Sequence, residues 1–213
     1  MKRTDLSARV NLAKSAYDVN KRYNLAFDLG VNVGGFSKAY FEKFDKIVAI
    51  EAHPQTYEFA KKNLSQYENI VVHNYAVYKD SSSKVNLFEW KEGDCGSTSL
   101  INLDDNQQLE YSQSVDTIDF DSMVSRWGMP NYIKIDVEGS EYDFLMGKDL
   151  SEVDFIAIEI HYGFLSDKKI EELLAHLLQY FDIEREKKGV KGVSHPEYNL
   201  INKNYYINSY LAR

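Results

Sequence analysis

The sequence predicts an α/β fold: a mostly parallel seven-stranded sheet, helices on both faces, and an antiparallel hairpin at the C-terminal end. Three observations predict it. Segments that read as strands alternate along the chain with segments that read as helices, the order that builds a parallel sheet with both faces covered. Tyr132-Ile-Lys-Ile-Asp136 and Phe155-Ile-Ala-Ile-Glu-Ile160 are nearly unbroken apolar runs, as expected of strands buried on both sides. Leu25-Ala-Phe-Asp28 is a short apolar run that leads into a glycine-rich turn. The chain has 213 residues, 44% of them hydrophobic, which suffices for one core. No repeat, Pro-rich linker or low-complexity tract divides it, so 1–213 reads as a single domain.

The elements follow in order. Residues 1–22 read as an N-terminal helical extension, with Leu6, Val10, Leu12, Ala13 and Ala16 in a modest helical pattern. After the first strand, Phe36 to Phe44 is helical and Lys46 to Glu51 is the second strand. Pro54 suits the first turn of the next helix, where its missing N–H would be unpaired anyway; that helix runs to about Asn63. Ile70 to His73 is the third strand, and Ala76-Val77 follows closely. Val85 to Trp90 alternates like an edge strand, Gly93 to Ser99 is a loop, and Val115 to Ile118 is a further short strand. A helix over Glu141 to Met146 separates the two long apolar strands. In 167–180, Ile170, Leu173, Leu174, Leu177 and Leu178 follow the i, i+3, i+4, i+7, i+8 rule of a one-sided helix. Phe181–Glu184 and Tyr205–Leu211 then make the hairpin, joined by the polar segment Lys187–Lys203.

Charge and composition exclude several functions. Lys and Arg number 25 against 33 Asp and Glu, a net charge of −8, unsuited to general binding of nucleic-acid backbones. No apolar run reaches the ~18 residues that cross a membrane, and the first ten residues lack the apolar segment of a secretory signal. A single cysteine, Cys95, makes neither an internal disulfide nor a thiolate-rich metal site, and no neighbouring base marks it as a nucleophile. The expected location is cytoplasmic.

The glycine turn carries the first chemistry. In Asp28-Leu-Gly-Val-Asn-Val-Gly34, Gly30 permits a tight turn and Asn32 is the non-glycine residue most tolerant of a left-handed backbone. Gly34 would let a ligand approach the start of the next helix. Glu51 ends the second strand 21 residues after Gly30, where an acid accepts hydrogen bonds from a ribose diol. Asp28 beside the turn would repel a pyrophosphate, which argues against a nicotinamide dinucleotide and an oxidoreductase. S-adenosylmethionine (SAM) has no phosphate and carries an ammonium and a sulfonium, so an acid there is favourable. Ala52, Asn74, Ala76 and Val77 then border the adenine, and Asp136 the methyl-bearing end.

Together with Ile50-Glu-Ala-His-Pro54, Gly96-Ser-Thr-Ser-Leu100, Val115-Asp-Thr-Ile-Asp119, Lys134-Ile-Asp-Val-Glu-Gly-Ser-Glu141 and Ile158-Glu-Ile-His161, this turn resembles the FkbM family of SAM-dependent methyltransferases. The resemblance covers roughly residues 25–161, and Lys-Ile-Asp-Val-Glu-Gly is its most specific string; Ala52-His53 departs from the commoner proline-containing turn. It implies a Rossmann-like class I methyltransferase fold and O-methylation, often of sugar hydroxyls on glycans or natural products. Residues 1–24 and 185–213 gain little from it.

Methyl transfer from SAM needs in-line placement and an acceptor that gives up its proton. Asp136 ends one strand; Glu159 and His161 share a face of the next by two-residue alternation. Two oxygens and one nitrogen suit Mg²⁺ or Mn²⁺, and the spacing resembles metal-dependent class I O-methyltransferases. Alternatively His161 is itself the base, poised near neutrality, or Glu159 pairs with Lys134 and His161 merely caps the sheet. Glu141 is read as a helix N-terminal cap, and Glu138 as either a cap or an orienting group. Trp90, Asp94, Thr98, Ser99 and Tyr162 are the expected acceptor surface, since aromatic faces suit sugar rings and the polar groups suit hydroxyls. His53, His73, His176 and His195 read as structural or exposed, with His195 within possible reach of the acceptor. The expected partner is a carbohydrate or another small-molecule hydroxyl, with glycosyltransferase modules as possible associates; a non-catalytic SAM-binding module is the alternative.

Overall fold

The computed structural model describes residues 21–90, 98–99, 109–188 and 195–205. The expected N-terminal helix within 1–20, together with Asp94 and Cys95, lies outside them. The elements in chain order are β1 (Tyr23–Leu29), α1 (Gly35–Tyr40), β2 (Phe44–Glu51), α2 (Pro54–Leu64), β3 (Ile70–Asn74), β4 (Ala76–Val77), β5 (Lys84–Trp90), β6 (Thr98–Ser99), β7 (Leu109–Ile118), α3 (Phe120–Trp127), β8 (Tyr132–Ile135), α4 (Glu141–Leu145), β9 (Phe155–Glu159), α5 (Asp167–Tyr180), β10 (Phe181–Lys187) and β11 (Glu197–Asn202).

The main sheet has seven strands in the order β10-β11-β9-β8-β1-β2-β3. β3, β2, β1, β8 and β9 are parallel to their neighbours, whereas β11 runs antiparallel to both β9 and β10. This is the Rossmann-like arrangement expected from the alternation of elements. All of β8 is buried, and all of β9 except Glu159. Alternate residues serve opposite faces. Phe27, Ile133 and Ile156 pack with Phe144 of α4 and Leu173 and Leu177 of α5. Ala26, Tyr132 and Phe155 pack with Phe36 of α1 and Phe44 of β2.

A second sheet of four strands, ordered β4-β7-β5-β6, stands apart from the first. Here the structure departs from the sequence reading. Val85–Trp90 alternates like an edge strand, yet β5 is paired on both sides, with β7 and β6. The alternation reflects one buried face, as at Leu87, and not a free edge. The strand expected over Val115–Ile118 is the end of the longer β7. α3 has no counterpart in the sequence reading: Asp119 caps it by accepting from the Ser122 N–H, Phe120 and Met123 bury one side, and Gly128 at φ 97° ends it. Its eight residues are too few for a strong periodic signal. The returning hairpin strand is Glu197–Asn202, inside the segment read as a connection; Tyr205 follows it, and 206–211 lie outside the described residues.

The turn after β1 is where the packing is tightest. Gly30 has φ 72°, and a Cβ on it would stand 1.8 Å from the Asp136 carbonyl oxygen. Gly30→Ala should therefore cost about 3 kcal/mol or more, from left-handed strain plus the clash. Urea denaturation reads this directly; a midpoint equal to wild type would mean the turn is free to move.

Candidate active site

β1 is flanked by β2 on one side and β8 on the other, so the chain reverses direction across the sheet at β1. A crevice opens beyond the carboxyl ends of the strands at such a switch point. Here it is an open cleft lined from both sides of β1. The turn after β1 contributes Gly30 and Asn32; the end of β2 contributes Ile50, Glu51 and Ala52, with Thr56 from α2. Tyr75, Ala76 and Val77 close one end, and Asp136, Val137, Glu138 and Ser140 the other.

The glycine turn is built as the sequence suggests, for partly different reasons. Asn32 is left-handed at φ 51°, and its N–H donates to Glu51 Oε2 at 2.9 Å while the His53 N–H donates to Oε1 at 3.0 Å. Burial raises the Glu51 pKa against these two donors. Gly34 does not line the cleft. It caps α1 at φ 102°, and a Cβ there would meet the Leu64 side chain at 2.8 Å, so it serves helix packing and not ligand approach. Asn74 also stays outside, donating from Nδ2 to the carbonyls of Glu51 and Ala52 at 2.8 Å each.

Asp28 is fully buried beneath the turn and outside the cleft lining. Its Oδ2 accepts from the Ser37 hydroxyl at 2.6 Å, and the cation beside it is internal: Lys134 Nζ at 3.7 Å. Lys134, also fully buried, donates to the carbonyls of Gly30 (2.7 Å) and Leu29 (3.3 Å) and lies 3.4 Å from Asp136. Burial opposes its charge, but Asp136 and Asp28 outweigh that and raise its pKa. The direct contact between Asp28 and a ligand's positive charge read from the sequence is thus taken up by Lys134. The alternative Lys134–Glu159 pair is also replaced, because the ammonium is turned toward Asp28 and Asp136.

Asp136, Glu159 and His161 are brought together, with one ligand atom from each lying within 4.8 Å of the others. His161 is held from behind: Nδ1 is 2.5 Å from Glu141 Oε1, which also accepts from the Gly139 N–H at 3.1 Å. Glu141 does satisfy a backbone donor at the start of α4, but its larger role is to fix the imidazole. Nε2 faces Glu138 (3.3 Å) and Asp136 (3.6 Å). Burial disfavours the imidazolium, yet Glu141, Glu138 and Asp136 overcome it and push the pKa up to about 10. These carboxylates thus lift it above the near-neutral range expected of a base. The carboxyl groups move the other way. Burial first, then neighbouring acids, raise Glu138 and Glu159 to about 7.

Glu138, which the sequence allows as either a cap or an orienting group, lines the cleft in a left-handed backbone, φ 53°. A non-glycine residue there costs about 1–2 kcal/mol. His195 enters from just before β11: its ring centroid is 4.6 Å from that of His161, and its Nδ1 accepts from the Tyr162 N–H at 2.9 Å. Burial and the charge of His161 lower its pKa. Tyr162 is half-buried beside it. Trp90 ends β5, and Thr98 and Ser99 form β6 against it. His53 ties the two sheets together, capping α2 at Thr56 N–H and meeting Glu89 of β5 through Nε2 at 2.8 Å. His73 lies tilted against Trp127 and His176 meets Tyr180 edge-on, and none of the four lines the cleft.

The arrangement is thus a mostly parallel sheet with an acidic cleft at its switch point and a carboxylate–histidine cluster at one end. The family model of the methyltransferase FkbM domain matches residues 28–189, and the chain belongs to that family. It is 25% identical over 175 residues to the hexuronic acid methyltransferase AglP of Haloferax volcanii, covering 80% of this chain and 70% of that one. Among solved structures it is similar to the methyltransferase FkbM from Methylobacillus flagellatus KT (TM-score 0.54, 17% identity), covering 84% of this chain. The match spans less than half of that longer chain, 43%. TrmK of M. capricolum, solved with S-adenosylhomocysteine, shares the fold at TM-score 0.50 and 8% identity, covering 90% of this chain and 67% of that one.

The raised carboxyl values make a stability prediction. A carboxyl whose folded pKa is about 7 against an ordinary 4.5 destabilises the fold progressively as pH climbs through that window. Glu159→Gln should therefore melt above wild type at pH 8, with the gain fading as pH falls toward 5. Thermal melts across that range check it, and a pH-independent difference would contradict it.

Proposed function

We propose that this chain is a SAM-dependent O-methyltransferase acting on a hydroxyl of a sugar, within a glycan or sugar conjugate, aided by a divalent cation. The observation that carries this reading is the cleft that joins a ribose-type acid, Glu51, to Asp136, which clusters in turn with Glu159 and His161. SAM lies with its adenine at Tyr75, Ala76 and Val77, its ribose diol on Glu51, and its methyl group toward Asp136. The AglP relative acts on a hexuronic acid by name, which supports a carbohydrate acceptor over other hydroxyl compounds.

The donor set fits a hard or borderline cation. Glu141 occupies Nδ1 of His161 and leaves Nε2 toward Asp136, the outer-shell carboxylate support typical of metal-binding histidines. Asp136, Glu159 and His161 would hold Mg²⁺ or Mn²⁺, which when bound lowers the cost of deprotonating an acceptor hydroxyl. The protein's own groups do the rest. The acceptor oxygen attacks the methyl carbon, the C–S bond breaks with its electrons on sulfur, and S-adenosylhomocysteine leaves. The hydroxyl proton passes to a carboxylate.

The test is methyl transfer from labelled SAM to a panel of hexuronides and neutral hexosides, with and without chelator. Activity should disappear in chelator and return with Mn²⁺, and Asp136→Asn should lower it about 100-fold or more. Manganese EPR should report bound ion in the wild type alone. Full activity in chelator removes the cation from the reading; absence of SAM binding removes the reading itself.

A further inference from the structure

The sequence gives the cofactor's positive charge to Asp28, and the fold takes it away. A ligand bearing an ammonium and a sulfonium is favoured by carboxylates that face the cleft. Four acids cluster at this edge of the sheet around β1, β2 and the turn after β8. Asp28 is sealed beneath the turn with Lys134 and Ser37. Glu51 faces the cleft but has an oxygen on each of two backbone N–H groups, which fixes it for a diol. Asp136 is answered from below by Lys134 at 3.4 Å. Glu138 lines the cleft with its side chain 23% exposed, between Asp136 and Ser140, and Oε2 lies 3.3 Å from His161 Nε2. Its backbone is left-handed at φ 53° and Gly139 follows at φ 107°. Asparagine or glycine would meet that backbone requirement at lower cost. A glutamate in this place adds only its carboxylate, directed where cofactor cleft and histidine cluster meet.

We propose that Glu138 is the residue that binds the positively charged end of the cofactor, so that it forms the wall shared by cofactor and acceptor. The inference rests on SAM being the cofactor. It assigns to the turn after β8 the role that the acid before the glycine turn was read to have. Opposite charge at this range favours binding through a short, partly desolvated contact. The adenosine portion, held at the opposite end of the cleft, is outside its reach.

The experiment is titration calorimetry of wild type, Glu138→Gln and Glu138→Asn with two probes. One is SAM; the other is 5′-methylthioadenosine, which keeps the adenosine and sulfur but has neither ammonium nor sulfonium. SAM should bind tenfold or more weakly to both variants, while 5′-methylthioadenosine changes less than twofold. Glu138→Asn should melt at or above the wild-type temperature, because asparagine accepts the left-handed backbone. SAM affinity within twofold of wild type in the folded Asn variant would overturn the proposal. So would equal losses for both probes, which would make Glu138 a support of the cleft and not a charge partner. If the wild type binds 5′-methylthioadenosine and SAM equally, the charge recognition is absent; if it binds neither, the cofactor reading falls first.

Discussion

One buried ammonium organises the carboxyl edge of the sheet. Lys134 sits on β8 with no exposure, and it reaches the two carbonyls at the end of β1, the carboxylate of Asp28 and that of Asp136. A lone buried cation costs several kcal/mol, and removing either partner of such a group leaves an uncompensated charge. The glycine turn, the end of β8 and the acid beneath the turn are therefore coupled. Gly30 can approach Asp136 so closely only because it lacks a side chain, and Lys134 draws the same two segments together from below. The cleft's floor is thus an electrostatic knot, and its shape follows from that knot.

Above it the arrangement is less comfortable. Asp136, Glu138, Glu141 and Glu159 crowd around one imidazole. His161 answers part of that charge, Glu141 Oε2 is buried without a hydrogen-bond partner, and two carboxyls are driven up to about 7. Such crowding opposes folding and is characteristic of sites that wait for a cation or a proton. The left-handed backbone at Glu138 adds local strain at the same point. Stability and function pull apart here, within a few residues of the buried knot around Lys134.

Much of this was legible in the sequence. The parallel strands announced themselves because burial on both faces leaves no polar alternation, as in Tyr132–Ile135 and Phe155–Ile158. Asp136, Glu159 and His161 could be grouped from strand ends alone. What could not be read was which way a side chain turns once the chain packs. Asp28 and Glu51 look equivalent as acids after strands, yet one is sealed against Lys134 and the other faces the cleft. Gly34 looks like a ligand glycine and is a packing glycine against Leu64. Glu138 and Glu141 sit three residues apart in one turn, but opposite backbone signs send them to opposite sides of His161. His195 reads from the sequence only as within reach of the acceptor; its place beside His161 depends on a tertiary pairing, with no local pattern to mark it.

That pairing has a topological consequence. β11 runs against β9, with Glu197 opposite Glu159 and Ile201 opposite Phe155. Its first residue therefore lies at the edge where the parallel strands end, and the Ile160 N–H donates to the Pro196 carbonyl at 3.0 Å. A parallel strand in that slot would begin four residue steps away, roughly 13 Å, at the opposite edge. Reversing one strand delivers a late stretch of chain to the mouth of a cleft built by early ones. Variation at His195 and Pro196, just before β11, can then reshape the rim beside His161 while every parallel strand keeps its place.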